Sequence, residues 1–219
     1  TQYSCCAPSK RNVIMPSRLA KFFSFIAHPM FMPTFSVVLL FGLNTYINQT
    51  IPSKMQFMIT FLVFINTCIL PVIFILVMLK QKFLTSIYLE NQKERILPFV
   101  MAFFFFGFTY YLLKRVNLPQ TINSLMLGAT IAVLLSLGFN FFKKISIHMV
   151  GISGVFGAFY AISLGFNLNI LTLLLMLVLL IGAVGSARLK LKQHTPVELL
   201  LGFFVGFLAE FVVVIYKLG

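Results

Sequence analysis

The chain contains no tryptophan and no aspartate, and its only acids are Glu90, Glu94, Glu198 and Glu210. Charged residues make up 10% of its 219 positions, where an ordinary soluble domain carries roughly a quarter, and 60% are hydrophobic. So little charge cannot cover the apolar surface in water, which excludes a soluble fold. The lack of aspartate also argues against prenyl transfer, which needs paired aspartates to hold a magnesium diphosphate. Cysteine is equally scarce. Cys5 and Cys6 are adjacent, a poor disulfide, and Cys68 lies in an apolar run, so neither a disulfide framework nor a metal site is expected.

What is abundant is long apolar runs, with 27 phenylalanines among them. Seven stretches, at about 22–47, 56–79, 97–113, 119–141, 145–166, 168–187 and 196–216, approach the roughly 20 residues a helix needs to cross hydrocarbon. They are continuous rather than alternating, which excludes a membrane β-barrel. The expected fold is an all-α, polytopic transmembrane bundle of six or seven spans. The count falls to six if the fifth and sixth stretches, separated by little more than Asn167, are one. Residues 1–219 read as a single membrane domain, with 1–20 an interfacial or cytosolic segment. The first run reads as a span and not a cleaved signal.

A net charge of +13 would suggest nucleic acid in a soluble protein. Here the cations lie in short loops, so lipid headgroups and topology are the expected partners, not nucleic acid. With seven spans, thirteen of the 17 Lys and Arg fall on one side: Lys10, Arg11, Arg18, Lys21, Lys80, Lys82, Lys93, Arg95, Lys143, Lys144, Arg188, Lys190 and Lys192. The positive-inside rule makes that side cytoplasmic, although an anion site would gather cations in the same way. A bacterial inner membrane is the expected location. Gly151, Gly154, Gly157, Gly182, Gly185, Gly202 and Gly206 read as close-packing positions.

Ionisable residues near spans are functional candidates by default. His148 opens the fifth stretch, after Lys143-Lys144-Ile145-Ser146-Ile147. His194 precedes the seventh, within Ser186-Ala187-Arg188-Leu189-Lys190-Leu191-Lys192-Gln193-His194-Thr195-Pro196-Val197-Glu198. Here the chain resembles the type 2 phosphatidate phosphatase superfamily, membrane relatives of the vanadium haloperoxidases. That family's third motif, SRxxxxxHxxxD, is matched by Arg188, His194 and Glu198, with Ala187 in place of Ser and Glu in place of Asp. Its PSGH motif is similar to Ile145-Ser146-Ile147-His148, where Ser and His agree. Its KxxxxxxRP motif is represented by Lys93-Glu94-Arg95-Ile96-Leu97-Pro98. Together these cover about residues 93–202, in the family's order, and two spans between successive motifs return all three to one membrane face.

The resemblance implies a metal-independent, cofactor-free lipid-phosphate hydrolase. In that scheme His194 is the nucleophile that becomes phosphohistidine, His148 protonates the leaving oxygen and Glu198 orients His194. Arginine's fork suits phosphate oxygens, so Arg188, Arg95 and Lys93 are expected to bind them, with the helix start at Ser146 adding an anion-friendly dipole. The family's habit of extracytoplasmic sites opposes the charge count. The substitutions within the motifs leave open a non-catalytic relative that binds anionic lipid or serves as a subunit of a membrane complex.

Simpler readings stand beside these. Thr195-Pro196-Val197-Glu198 is also a capping box with proline at the first helical position. His148 could be an interfacial histidine bonded to a carbonyl. Lys143, Lys144, Lys190 and Lys192 read as headgroup or topology charges, and Glu90 and Glu94 as partners of Lys93 or Arg95. His28, between Ala27 and Pro29, marks a kinked first span, and Glu210 has no assigned role.

Overall fold

A computed structural model describes residues 16–43, 45–83 and 95–218, so Lys93, Glu90 and Glu94 lie outside the described residues. The described chain is helical, and seven helical segments are long and apolar enough to cross a membrane. Among the described residues the candidate spans therefore number seven. The fifth and sixth are separate helices, α8 (Ile147–Gly165) and α9 (Leu171–Lys190), because Asn167 takes a left-handed conformation (φ 52°) and turns the chain back. Asparagine tolerates that conformation better than most residues. The N–H of Leu168 then closes on the Ser163 carbonyl at 3.0 Å, a Schellman end for α8.

The first span, Arg18–Gly42, is broken. Helix α1 (Ser17–Ile26) stops, a single 3₁₀ turn spans Pro29–Phe31, and α2 (Met32–Gly42) continues. Proline explains the break, because the residue before it is driven out of the helical region, and His28 is extended at φ −63°, ψ 131°. A short α3 (Tyr46–Thr50) leads to the second span, α4 (Ser53–Phe64) and α5 (Leu70–Lys80), joined by a π-helical turn at Ile65–Ile69. Pro71 follows that turn, and the wider winding relieves the clash a proline ring makes with the preceding turn. From the π turn, Thr67 Oγ1 donates to the Met30 carbonyl at 3.3 Å, so the second span grips the elbow of the first. Helices α6 (Ile96–Arg115), α7 (Gln120–Phe142) and α10 (Pro196–Leu218) complete the bundle.

Helix α8 is the central element, with 67% of its apolar window buried against 17% for α6 and for α9. It packs closely on α10 because glycine removes the side chains between them. A Cβ on Gly202 would stand 2.7 Å from the Ser146 carbonyl oxygen, and one on Gly157 would stand 2.5 Å from that of Phe207. A Cβ on Gly206 would collide with the Val150 carbonyl oxygen. In lipid, where association depends on close packing rather than expulsion of water, such backbone proximity is the main cohesive device. Gly182 is different, since a Cβ there meets open space within 4 Å. The packing expectation thus holds for the α8–α10 glycines and not for Gly182.

Candidate active site

The junction of α9 and α10 is two capping motifs in series. Lys192 is left-handed (φ 52°), its N–H bonds the Leu189 carbonyl at 3.0 Å, and the N–H of Gln193 bonds the Arg188 carbonyl at 3.2 Å. This is a Schellman end, which places Arg188 in the last turn of α9. Two residues later α10 begins, with Thr195 Oγ1 accepting the Glu198 N–H at 3.4 Å and Glu198 Oε2 accepting the Thr195 N–H at 3.3 Å. The capping box is real. The same Oε2 also takes a hydrogen bond from His194 Nδ1 at 2.8 Å, so Glu198 caps the helix and orients the imidazole at once. The spacing from Arg188 through His194 to Glu198 is that of one helix end, one turn and one helix start.

An ionised carboxylate only accepts, so Nδ1 carries the proton and Nε2 of His194 keeps its lone pair. Burial, with the positive charges of Arg188 and Arg95 nearby, lowers the His194 pKa to about 4 even though Glu198 pulls it upward. At neutral pH the contact is a hydrogen bond between a neutral ring and a carboxylate. It is not an ion pair.

His148 reaches the same place from α8. The backbone N–H of Ser146 donates to the Glu198 carbonyl at 3.3 Å, tying the start of α8 to the start of α10. One large cavity, of about 1130 Å³, is lined at this end by Arg95, Lys144, His148, Arg188, Lys192 and His194. Arg95, His148 and His194 are all nearly enclosed, at 8%, 7% and 7% exposure. Arg95 Nη1 donates to the Ile145 carbonyl at 3.5 Å, and burial lowers the guanidinium pKa while Glu198 opposes the shift. The Arg188 guanidinium donates to Ser24 Oγ on α1 at 3.3 Å, while its Nε is buried without a protein partner. Nδ1 of His148 is likewise buried without a partner.

Arg188, His194, His148 and Arg95 are thus brought together around one cavity, with Glu198 behind His194. Ser146 is fully buried and does not line the cavity; its N–H is engaged by Glu198 and its Oγ has no partner. Lys93 lies outside the described residues. Lys144 and Lys192 border the cavity. Among the described residues no group of three or more histidine, cysteine or acidic side chains is arranged to hold a metal.

Two residues that sequence reasoning left without a role also line the cavity. His28 stands beside His148, with ring centroids 5.5 Å apart at 80°. The one available signal was an ionisable residue within a broken span. Glu210 lies at the deep end, about 18 Å along α10 from Glu198 at 1.5 Å per residue. Its carboxyl occupies the space that a Cβ on Gly128 would take, its Cγ lies 3.2 Å from where a Cβ on Gly154 would stand, and Oε2 has no partner. Between these polar ends the walls are mostly apolar, with Ser36 and Ser136 among them, and exposed Phe25 and Leu76 border the cavity, so it communicates with the lipid-facing surface.

No protein-family model, curated protein or solved structure matches the chain.

Proposed function

We propose that the protein is a membrane phosphohydrolase that removes phosphate from an amphiphilic lipid phosphate or diphosphate through a phosphohistidine. The observation that carries this reading is the cationic, histidine-bearing end of a cavity whose walls are mostly apolar. A neutral, carboxylate-oriented His194, two guanidinium groups and a second histidine meet there, with an apolar passage to the lipid. Phosphoryl transfer asks for positioning and charge stabilisation more than for covalent machinery, and that end supplies both.

In the first step the lone pair on His194 Nε2 forms an N–P bond as the P–O bond to the lipid breaks. Arg188 and Arg95 hold the non-bridging oxygens, and His148 gives a proton to the departing oxygen, releasing a lipid alcohol, or a lipid monophosphate from a diphosphate. In the second, His148 takes a proton from water, the water oxygen bonds phosphorus, and the N–P bond breaks to return His194 and orthophosphate. Glu198 holds the Nδ1–H throughout and so keeps Nε2 aimed and nucleophilic.

The test is phosphate release in detergent micelles from phosphatidate, phosphatidylglycerophosphate and polyprenyl diphosphate. His194→Ala is expected to abolish it, by about a thousandfold or more, as loss of a covalent nucleophile does. Unchanged turnover in that variant overturns the mechanism. A non-catalytic lipid-binding protein would instead show no turnover in the unaltered chain, retained lipid binding in His194→Ala and weakened binding in Arg188→Ala.

A further inference from the structure

Three independent contacts hold the elbow of the first span against the candidate site. Thr67 of the π turn donates to the Met30 carbonyl at 3.3 Å. Gly151 of α8 lets the elbow approach, since a Cβ there would stand 2.7 Å from Met32 Cγ and 3.4 Å from Pro29 Cα. Gly151 is three residues beyond His148, hence on the same helical face. Ser24 takes the Arg188 hydrogen bond at 3.3 Å. An elbow fixed this way delivers His28 to a defined position beside His148.

The ring of His28 is oriented by the turn it begins. Its Nδ1 accepts the Met30 N–H at 3.5 Å, capping the 3₁₀ turn. A ring nitrogen that accepts carries no proton, so in the neutral ring Nε2 is the N–H donor. None of the described hydrogen bonds uses that N–H, while the residue borders the cavity that holds Arg188 and His194.

We infer that His28 is a phosphate-binding residue of this site, its Nε2–H donating to a phosphoryl oxygen of the substrate from the side of the cavity walled by the first span. The inference rests on the phosphate-site reading above, and extends it to a helix outside the 93–202 region. His28 completes the set of donors, so that the phosphoryl group is gripped from α1–α2, α6, α8 and the α9–α10 junction together. A hydrogen bond to an anion contributes more than a neutral one, and its removal weakens binding by about tenfold or more.

The experiment is binding of inorganic phosphate and of orthovanadate to the purified full chain in detergent, by titration calorimetry, for the unaltered protein, His28→Phe and His28→Gln. Phenylalanine keeps a ring against His148 but has no N–H, whereas glutamine keeps a donor at the reach of Nε2 and loses the ring. The expected result is a dissociation constant for both anions raised about tenfold in His28→Phe and held within about threefold in His28→Gln. A merely structural His28 gives the reverse order, with phenylalanine tolerated and glutamine not, and that order overturns the inference. Equal affinity in all three proteins also overturns it. Because binding is read without turnover, a protein that binds phosphate through His28 yet hydrolyses no lipid phosphate would sink the hydrolase reading and leave this inference standing. Loss of binding in His28→Phe with unfolding temperatures unchanged separates the donor from the fold.

Discussion

The α9–α10 junction and the elbow between α1 and α2 deliver histidines to one cavity by different physical means. At the junction everything is local. Lys192 bonds Leu189, Gln193 bonds Arg188, and Glu198 bonds both Thr195 and His194, all within eleven consecutive positions, and every bond but the one to the imidazole follows from capping rules that any helix end obeys. At the elbow almost everything is distant. Pro29 breaks the helix, but what places His28 is Thr67 from the second span, Gly151 from α8 and the contact with His148, 120 residues away. Chemistry built within a single turn tolerates movement of the bundle around it, whereas chemistry built between spans depends on how closely those spans pack.

That difference can be tested by substitution. The largest effect is expected at the junction, where Glu198 has two separable tasks. Glutamine at the third helical position still closes a capping box, but its amide orients the imidazole far less well than a carboxylate. Glu198→Gln should therefore lower phosphate release by at least about a hundredfold with an unchanged unfolding midpoint. Thr195→Ala should do the opposite, losing about 1 kcal/mol of stability while keeping turnover within a few-fold. Assays of both variants by phosphate release and thermal unfolding check the pair, and equal losses in both quantities would mean that capping is the residue's whole contribution.

At the elbow the expected effect is smaller and depends on packing. Gly151→Leu fills the seat of Met32 and Pro29 on α8, and overpacking of this kind typically costs about 1–3 kcal/mol. It should raise KM for lipid phosphate about tenfold by moving His28, with kcat less affected since His194 and Glu198 are untouched. Gly182→Leu is the control, because its Cβ position meets open space within 4 Å, and neither constant should change.

The smallest effect concerns pH. The folded-state pKa of His194, about 4, lies below its ordinary 6.5. Above pH 6.5 the ring is neutral in folded and unfolded chains alike. As pH falls from 6.5 toward 4 the unfolded chain takes up a proton that the folded one does not, so stability declines across that window. The unprotonated Nε2 of His194 is itself lost only near pH 4. In kcat/KM against pH, the acid limb due to His194 should fall near 4, and a limb at 6.5 would mean that the ring is solvated and unguarded by Arg188 and Arg95.

The same contrast explains what could be read from the residues. The helical membrane class followed from the lack of charge and the continuous apolar runs, since hydrocarbon leaves a backbone few alternatives. Arg188, His194 and Glu198 were visible because they lie close together in the sequence, across one helix end, one turn and one helix start, and parity of the spans placed His148 and Arg95 at the same end. His28 was not legible, because nothing in Ala27-His28-Pro29 encodes Gly151 or Thr67 as neighbours. Ser146 was legible as a helix start but not as a backbone donor to Glu198. The connection around Asn167 looked too short to decide between six and seven spans, whereas residues 166–170, with Asn167 left-handed, are enough to reverse the chain. Glu210 was visible as an anomaly and remains one chemically, at the deep end of the cavity with Oε2 unpartnered.

The most direct measurement is a structure of the protein with orthovanadate, determined by cryo-electron microscopy or crystallography. Vanadium bonded to His194 Nε2, with Arg188 and Arg95 on its equatorial oxygens and His148 beside the apical one, is the predicted result. Vanadate bound elsewhere, or His148 and His194 facing separate regions with no anion between them, would contradict it.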